Sequence, residues 1–126
     1  MNKYGYALEK FGRAIYSLAV GEEEIRMRLL GVFRDELLCI TPEHLPENVR
    51  EDYKWIMEQV QKYDEKYKGQ REYFESFENG AEKFAHLLPT KIEATLHRIR
   101  KKTAAKIAAR IYSIWEVVEE ESNRTK

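Results

Sequence analysis

The sequence is poor in cysteine, glycine and proline, and each shortage excludes a class of protein. Cys39 is the only cysteine among 126 residues, so no disulfide can form within the chain and a reducing compartment is expected. The six glycines are scattered, without the Gly-Lys-Ser/Thr run of a phosphate-binding loop. No apolar run reaches the length of a membrane span, and the first residues lack a signal-peptide core. We therefore expect a soluble, cytoplasmic protein.

Residues that hold metals or perform catalysis are also sparse. His44, His86 and His97 lie in three separate segments, without the His-x-x-x-His, Glu-x-x-His or Cys-x-x-Cys spacing of a metal site. Cys39 lies within the apolar run 37–40, where the second predicted helix ends, and is expected to be buried as a small hydrophobic residue. No residue pair supplies an activated nucleophile, a base or a metal centre. The sequence thus predicts a non-enzymatic protein with no catalytic residues, no cofactor and no metal.

An excess of charge of one sign is missing as well, because 22 basic residues balance 22 acidic ones. The molecule as a whole is therefore not an electrostatic binder of nucleic acid or membranes. The distribution is uneven, since residues 91–110 carry seven Lys or Arg against one acid, Glu93. Acidic runs lie at 22–24 and 119–121. A compact fold would be strongly dipolar while neutral overall.

What the chain has in quantity is apolar residues at helical spacing. Four segments repeat apolar residues every three or four positions, which predicts helices at about 3–19, 22–38, 46–67 and 90–121. The Thr41–Pro46 segment breaks the second helix from the third. Residues 68–89 contain the turn signal Asn79-Gly80 and are predicted to be a mobile connection with short helical turns. We predict an all-α, four-helix bundle-like single domain spanning 1–126.

The same spacing identifies the side chains that should form the core of the bundle. The inward seams include Val49, Tyr53, Tyr63 and Tyr67 on the third helix. Nine residues are predicted to be buried together: Phe11, Ile15, Leu29, Phe33, Ile56, Val60, Ile99, Ile107 and Ile114.

Three stretches resemble a group of small bacterial helical proteins. They are the Pro-Glu-x-Leu-Pro turn and acidic helix within 40–53, and the segments 92–96 and 106–111. The resemblance covers most of the chain except residues 68–88, which look like an insertion. It implies a turn before an acidic helix and a basic-apolar helix at the end. It implies no activity.

The last predicted helix has two distinct faces. Its apolar stripe includes Ile92, Leu96, Ile107 and Ile114. The adjoining basic arc consists of Lys91, Arg98, Lys102, Lys106 and Arg110. Arg100 falls within the apolar stripe, where an Arg needs a carboxylate, a partner chain or an exposed position. Tyr, Trp and Arg are enriched at binding hot spots. The candidate partner-binding residues are Arg98, Arg100, Lys102, Lys106, Arg110, Tyr112 and Trp115.

These surfaces favour one function over a second. The first is a helical protein–protein interaction or regulatory protein (an adaptor, an inhibitor or a small subunit) of a bacterial system, with a homodimer or another protein as partner. The alternative is a nucleic-acid-associated protein that binds through the basic arc, which could follow a line of phosphates. No small-molecule substrate and no membrane partner is indicated.

Overall fold

The computed structural model describes residues 3–63 and 91–124, which form five α-helices and contain no strand. They are α1 (Gly5–Val20), α2 (Ile25–Val32), α3 (Arg50–Gln59), α4 (Lys91–Arg98) and α5 (Lys101–Arg124). A π-helix, Phe33–Leu37, continues α2, and two 3-10 turns, Pro42–His44 and Glu47–Val49, lead to α3. The predicted all-α class is confirmed, and the arrangement is compatible with bundle packing. The connection predicted at 68–89 lies outside the described residues.

The long helix α5 is at the centre of the packing and contacts α1, α2 and α3. Its inner face repeats every three or four residues and is buried along its length. The buried hydrophobic residues of this face are Ala104, Ile107, Ile111, Ile114 and Val118. Eight of the nine predicted core residues belong to the buried cluster, and the ninth, Ile15, is partly buried against it. None of the described helices is long and apolar enough to cross a membrane.

Helix α1 turns one narrow face towards the core. Ala7, Phe11 and Ala14 are buried, whereas Leu8 and Ile15 only pack at the edge of the cluster. The Phe11 ring therefore lies at the middle of the buried face, with an alanine about one turn to either side. Small side chains let neighbouring helices approach closely, and α1 packs more extensively with α5 than with α2.

The second helix begins three residues later than its predicted start. Glu24 is the N-cap, because its carboxylate accepts a hydrogen bond from the backbone N–H of Arg26 at 3.0 Å. The Arg26 guanidinium donates to the same carboxylate, at 2.6 and 2.7 Å. Hydrogen bonding from the Arg26 side chain lowers the pKa of the Glu24 carboxyl to about 2.

At the other end of this segment, the side chain of Tyr53 from α3 contacts the backbone that follows the π-helix. Its hydroxyl lies 2.8 Å from the carbonyl oxygen of Leu37 and 3.0 Å from that of Ile40, two carbonyls at the end of the helical segment. Burial raises the pKa of the Tyr53 hydroxyl. The prediction that Cys39 is buried is wrong, because the chain leaves the π-helix there and turns Leu38 and Cys39 to the surface.

The third helix ends earlier than its predicted end at residue 67. Helix α3 stops at Gln59, and a turn follows. The buried Thr95 hydroxyl accepts the backbone N–H of Tyr63 at 2.9 Å, so a side chain of α4 satisfies a donor beyond the helix. The prediction that Tyr63 lies in the inward seam is wrong, since its side chain is 39% exposed. Tyr67 lies outside the described residues.

The last predicted helix is two helices, and α5 extends to Arg124. Backbone hydrogen bonds continue up to the break, from Ile99 N–H to the carbonyl of Thr95, and resume after it, from Ala104 N–H to the carbonyl of Arg100. The placement of Arg100 within the apolar stripe is wrong, because the interruption turns it to the surface. Of the three alternatives for Arg100, a carboxylate partner, a partner chain or an exposed position, the structure shows the exposed position.

Candidate interaction surface on the last helix

Opposite its buried face, α5 presents a continuous exposed face. We call it the outer face, and it consists of residues at three- and four-residue intervals that are all exposed. They are Lys102, Ala105, Lys106, Ala109, Tyr112, Ser113, Glu116 and Glu120. At 1.5 Å per residue, the distance from Lys102 to Glu120 is about 27 Å. The helix thus holds one rigid surface, fixed from behind by the core.

Charge is segregated along the outer face. Lys102 and Lys106 lie in its N-terminal half, and Glu116 and Glu120 lie in its C-terminal half. Within the described residues, Lys102, Lys106 and Glu116 form no ion pair, and Glu120 pairs with Arg124 at 2.8 Å. Three charged groups of this face are therefore available to a partner.

The side chains in the middle of the outer face are small, and the serine hydroxyl among them is already hydrogen-bonded. Ala109 and Ser113 lie one turn apart, and the Ser113 hydroxyl donates to the Ala109 carbonyl at 3.1 Å. Tyr112 lies beside them with 47% of its surface exposed. Its ring contacts Trp115 with 5.7 Å between centroids. A partner would contact small side chains at the centre of the outer face and one large aromatic side chain at its edge.

Trp115 supports this aromatic side chain from the side of α1. It is partly buried against the core, and its indole nitrogen would lie 3.8 Å from a Cβ placed on Gly12. Among the predicted partner-binding residues, Trp115 thus belongs mainly to the contact between α1 and α5. Its ring orients Tyr112, which is the more exposed of the two.

Arg110 of the basic arc is held within the fold, at the flank of α5 that faces α3. Its guanidinium lies 3.0 Å from the Asp52 carboxylate and 4.5 Å from the centre of the Trp55 ring. A cation held between a carboxylate and an aromatic face is partly neutralised. Arg110 is therefore less available to a partner than Lys102 and Lys106.

Arg98 and Arg100 lie at the break between α4 and α5, apart from the outer face. The Arg98 guanidinium lies 4.9 Å from the centre of the Tyr63 ring. Both arginines line a cavity of about 240 Å³ together with Lys62 and Thr103. The seven predicted partner-binding residues thus divide between three places: the outer face with its aromatic support, the flank at α3 and the cavity at the break.

The acidic half of the outer face was not among the predicted partner-binding residues. Glu116 and Glu120 share that face with Lys102 and Lys106, and a helical wheel of the last segment contains this signal. Within the described residues, no group of three or more His, Cys, Asp or Glu side chains is arranged to hold a metal ion. Exposed charge and one exposed aromatic side chain are what this surface offers chemically.

Comparisons with protein-family models, with curated proteins and with solved structures gave no match. The resemblance to small bacterial helical proteins stays a prediction.

Proposed function

We propose that this chain is a non-enzymatic helical protein–protein interaction or regulatory protein, an adaptor, inhibitor or small subunit of a bacterial system, and that it binds a protein through the outer face of α5. One observation carries the proposal: the inner face of α5 is buried in the core, while its outer face keeps Tyr112 and unpaired charges exposed. Tyr is enriched at binding hot spots, where one side chain can dominate the affinity. The single cysteine favours the reducing cytoplasm as its compartment.

The geometry around the basic arc supports a protein partner more than a nucleic acid. Arg110 is paired with Asp52, and Lys101 lies 3.9 Å from the Glu24 carboxylate. A line of phosphates would compete with these carboxylates and would also meet Glu116 and Glu120 on the same face. A protein partner can present charges of both signs.

A comparison of two exposed tyrosines tests the proposal. Tyr112 is replaced by Ala in a tagged copy expressed in the native cell, and Tyr16→Ala is the matched control, because Tyr16 is 68% exposed on α1. Proteins that co-purify are measured by quantitative mass spectrometry, and the affinity of a recovered protein is then measured with purified components. We expect Tyr112→Ala to weaken binding about tenfold and Tyr16→Ala to leave it unchanged. Equal recovery with both variants would contradict the proposal.

The nucleic-acid alternative keeps one supporting observation, the three basic side chains of Lys62, Arg98 and Arg100 around one cavity. Binding by these residues predicts an affinity that falls steeply with salt, with a slope of about one log unit per phosphate contacted. A mobility-shift titration with DNA and RNA at several salt concentrations measures that slope. A tight complex that Arg98→Ala and Arg100→Ala weaken would favour this second function.

A further inference from the structure

We infer that the occupant of the outer face of α5 is a second copy of the same chain, packed antiparallel through its own outer face. The inference rests on the proposed function and makes it specific, since it names the partner and the register. It starts from the segregation of charge, because a face with cations at one end and carboxylates at the other is complementary to its own antiparallel copy.

The direction of this charge gradient is unfavourable for α5 alone. Carboxylates stabilise the N-terminus of a helix and cations stabilise the C-terminus, because of the helix dipole. Helix α5 begins with Lys101 and Lys102, has no acidic residue in its first turn, and carries Glu119, Glu120 and Glu121 near its end. Local helix stability therefore does not explain this placement. An antiparallel copy does, because it brings each end against charges of the opposite sign.

The spacing of the four charges fits one register. Lys102 and Lys106 are four residues apart, and so are Glu116 and Glu120. An antiparallel copy that places Lys102 opposite the partner's Glu120 therefore also places Lys106 opposite the partner's Glu116. In that register Ala109 lies opposite the partner's Ser113. Each of the four charges then faces a group of opposite sign, with Glu120 meeting the partner's Lys102 beside its own Arg124, and small residues face each other at the centre.

The centre of this register allows a close contact. Ala109 and Ser113 project little, and the Ser113 hydroxyl already has its acceptor on Ala109, so the helix axes can approach to about 8–10 Å. Tyr112 lies one residue from the two-fold axis. It and the partner's Tyr112 are offset by two residues, about 3 Å along the helix. A two-fold axis perpendicular to both helices puts the two rings on the same side of the interface.

The size of the surface predicts a weak dimer. A strip about 27 Å long and about 10 Å wide amounts to roughly 300 Å² per copy, well below the about 800 Å² per partner of a standard interface. We expect a weak, transient dimer that is populated only at high protein concentration. Because the pairs are exposed, salt should weaken the dimer several-fold between about 0.05 and 0.5 M.

Charge-swap variants test the pairing. Lys102→Glu with Lys106→Glu makes the whole outer face acidic, and Glu116→Lys with Glu120→Lys makes it basic. We expect each variant to self-associate at least about tenfold more weakly than the natural chain, and an equimolar mixture of the two to form a heterodimer. Lys54→Glu with Lys62→Glu makes the same change of charge at two exposed positions of the surface outside α5 and should leave dimerisation unchanged. Analytical ultracentrifugation measures all four samples, and circular dichroism checks that each is folded.

Cysteine cross-linking tests the direction and the register, in a Cys39→Ser background because Cys39 is exposed. In the proposed register, the two copies of residue 109 are offset by about 6 Å along the axis and the two copies of residue 102 by about 27 Å. With a short bismaleimide we expect Ala109→Cys to cross-link to itself and Lys102→Cys not to. A mixture of Lys102→Cys and Glu120→Cys chains should cross-link to each other.

Several outcomes would overturn the inference while leaving the proposed function standing. Self-linking of Lys102→Cys as efficient as that of Ala109→Cys would mean a parallel pair. A mixture of the two charge variants that stays monomeric would mean that these charges do not meet. A monomeric natural chain at about 1 mM would exclude the dimer, and a different protein lost with Tyr112→Ala would still support the proposed function. Absence of both dimer and partner would end both proposals.

Discussion

The guanidinium of Arg26 donates a hydrogen bond to the backbone carbonyl of Ile99, with 3.2 Å between Nη1 and the oxygen. Ile99 lies at the break between α4 and α5, where a carbonyl has no intrahelical partner. The same guanidinium is bound to the Glu24 carboxylate, which also caps α2. One ion pair thus joins the start of α2 to the end of α4. The same Glu24 carboxylate lies 3.9 Å from the ammonium group of Lys101, the first residue of α5.

The first prediction concerns pH, because the folded chain holds the pKa of Glu24 at about 2, below the usual value of 4.5. Above pH of about 4.5 the carboxylate is ionised in both states, and its stabilising contribution is complete. As the pH falls from 4.5 towards 2, the unfolded chain takes up a proton that the folded chain does not, and the contribution is lost. Glu24→Gln should therefore be less stable than the natural chain at pH 7 and nearly equal to it at pH 2.

Urea denaturation at pH 7, 4 and 2 measures this difference. Glu58→Gln is the control, since Glu58 is exposed and forms no ion pair within the described residues. A stability difference for Glu24→Gln that stays constant across this range would show that the Arg26 interaction does not depend on the charge of Glu24.

The second prediction concerns the hydroxyl of Tyr53, which is 2% exposed and serves two backbone carbonyls at the end of the π-helix. Tyr53→Phe keeps the ring and removes the hydroxyl from the Ile40 carbonyl, whereas the Leu37 carbonyl keeps a hydrogen bond from the backbone N–H of Ile40 at 3.0 Å. We expect a loss of about 1–3 kcal/mol in the free energy of unfolding. Tyr16→Phe, at an exposed position, should change the free energy of unfolding by only a few tenths of a kcal/mol. Equal effects of the two changes would exclude the capping role of Tyr53.

Periodicity alone was sufficient to predict the class of the fold and most of its core, because apolar spacing reports which face of a helix is turned inwards. The break at Ile99 could not be predicted from it. No Gly or Pro lies at 99 or 100, and the carbonyl of Ile99 is bound by Arg26, 73 residues away in the chain. Cys39 was misplaced because an apolar run does not show which of its members face inwards: Leu37 and Ile40 are buried, whereas Leu38 and Cys39 lie at the surface.

The candidate site was predicted only in part. Lys102, Lys106 and Tyr112 are exposed together, as the sequence suggested, because they lie on one uninterrupted helix. Arg110 belongs to the same arc in sequence, but Asp52 and Trp55 of α3 hold it within the fold. A helical wheel describes the neighbours of a residue on its own helix and contains nothing about those contributed by another helix.

The third prediction concerns the central helix α5. Ile107 is fully buried, and Ile107→Ala should lower the free energy of unfolding by about 2–4 kcal/mol, the usual cost of removing a buried aliphatic side chain and leaving a cavity. Val20→Ala removes methyl groups from a residue that is 55% exposed at the end of α1. It should lower the free energy of unfolding by only a few tenths of a kcal/mol. Thermal or urea denaturation measures both. A small loss at Ile107 would mean that this face of α5 is not the core.

The last prediction concerns two glycines that should respond to the same substitution with opposite signs. A Cβ on Gly21 would lie 2.6 and 2.7 Å from two carbons of the Arg28 side chain and 2.9 Å from the backbone oxygen of Ser17. The Arg28 guanidinium also donates to the Leu18 carbonyl at 2.5 Å, so the side chain cannot move away without losing this hydrogen bond.

Gly31, by contrast, lies inside α2 with no atom within 4 Å of an added Cβ. Gly31→Ala should therefore stabilise the protein by about 0.5–1 kcal/mol, because Ala loses less conformational entropy in a helix. Gly21→Ala should destabilise it by about 1–3 kcal/mol through the steric contact. The melting temperatures of the two variants, measured beside that of the natural chain, test whether the two effects have opposite signs. If Gly21→Ala melted at or above the natural chain, the close approach of Arg28 to the end of α1 would not be a constraint on the fold.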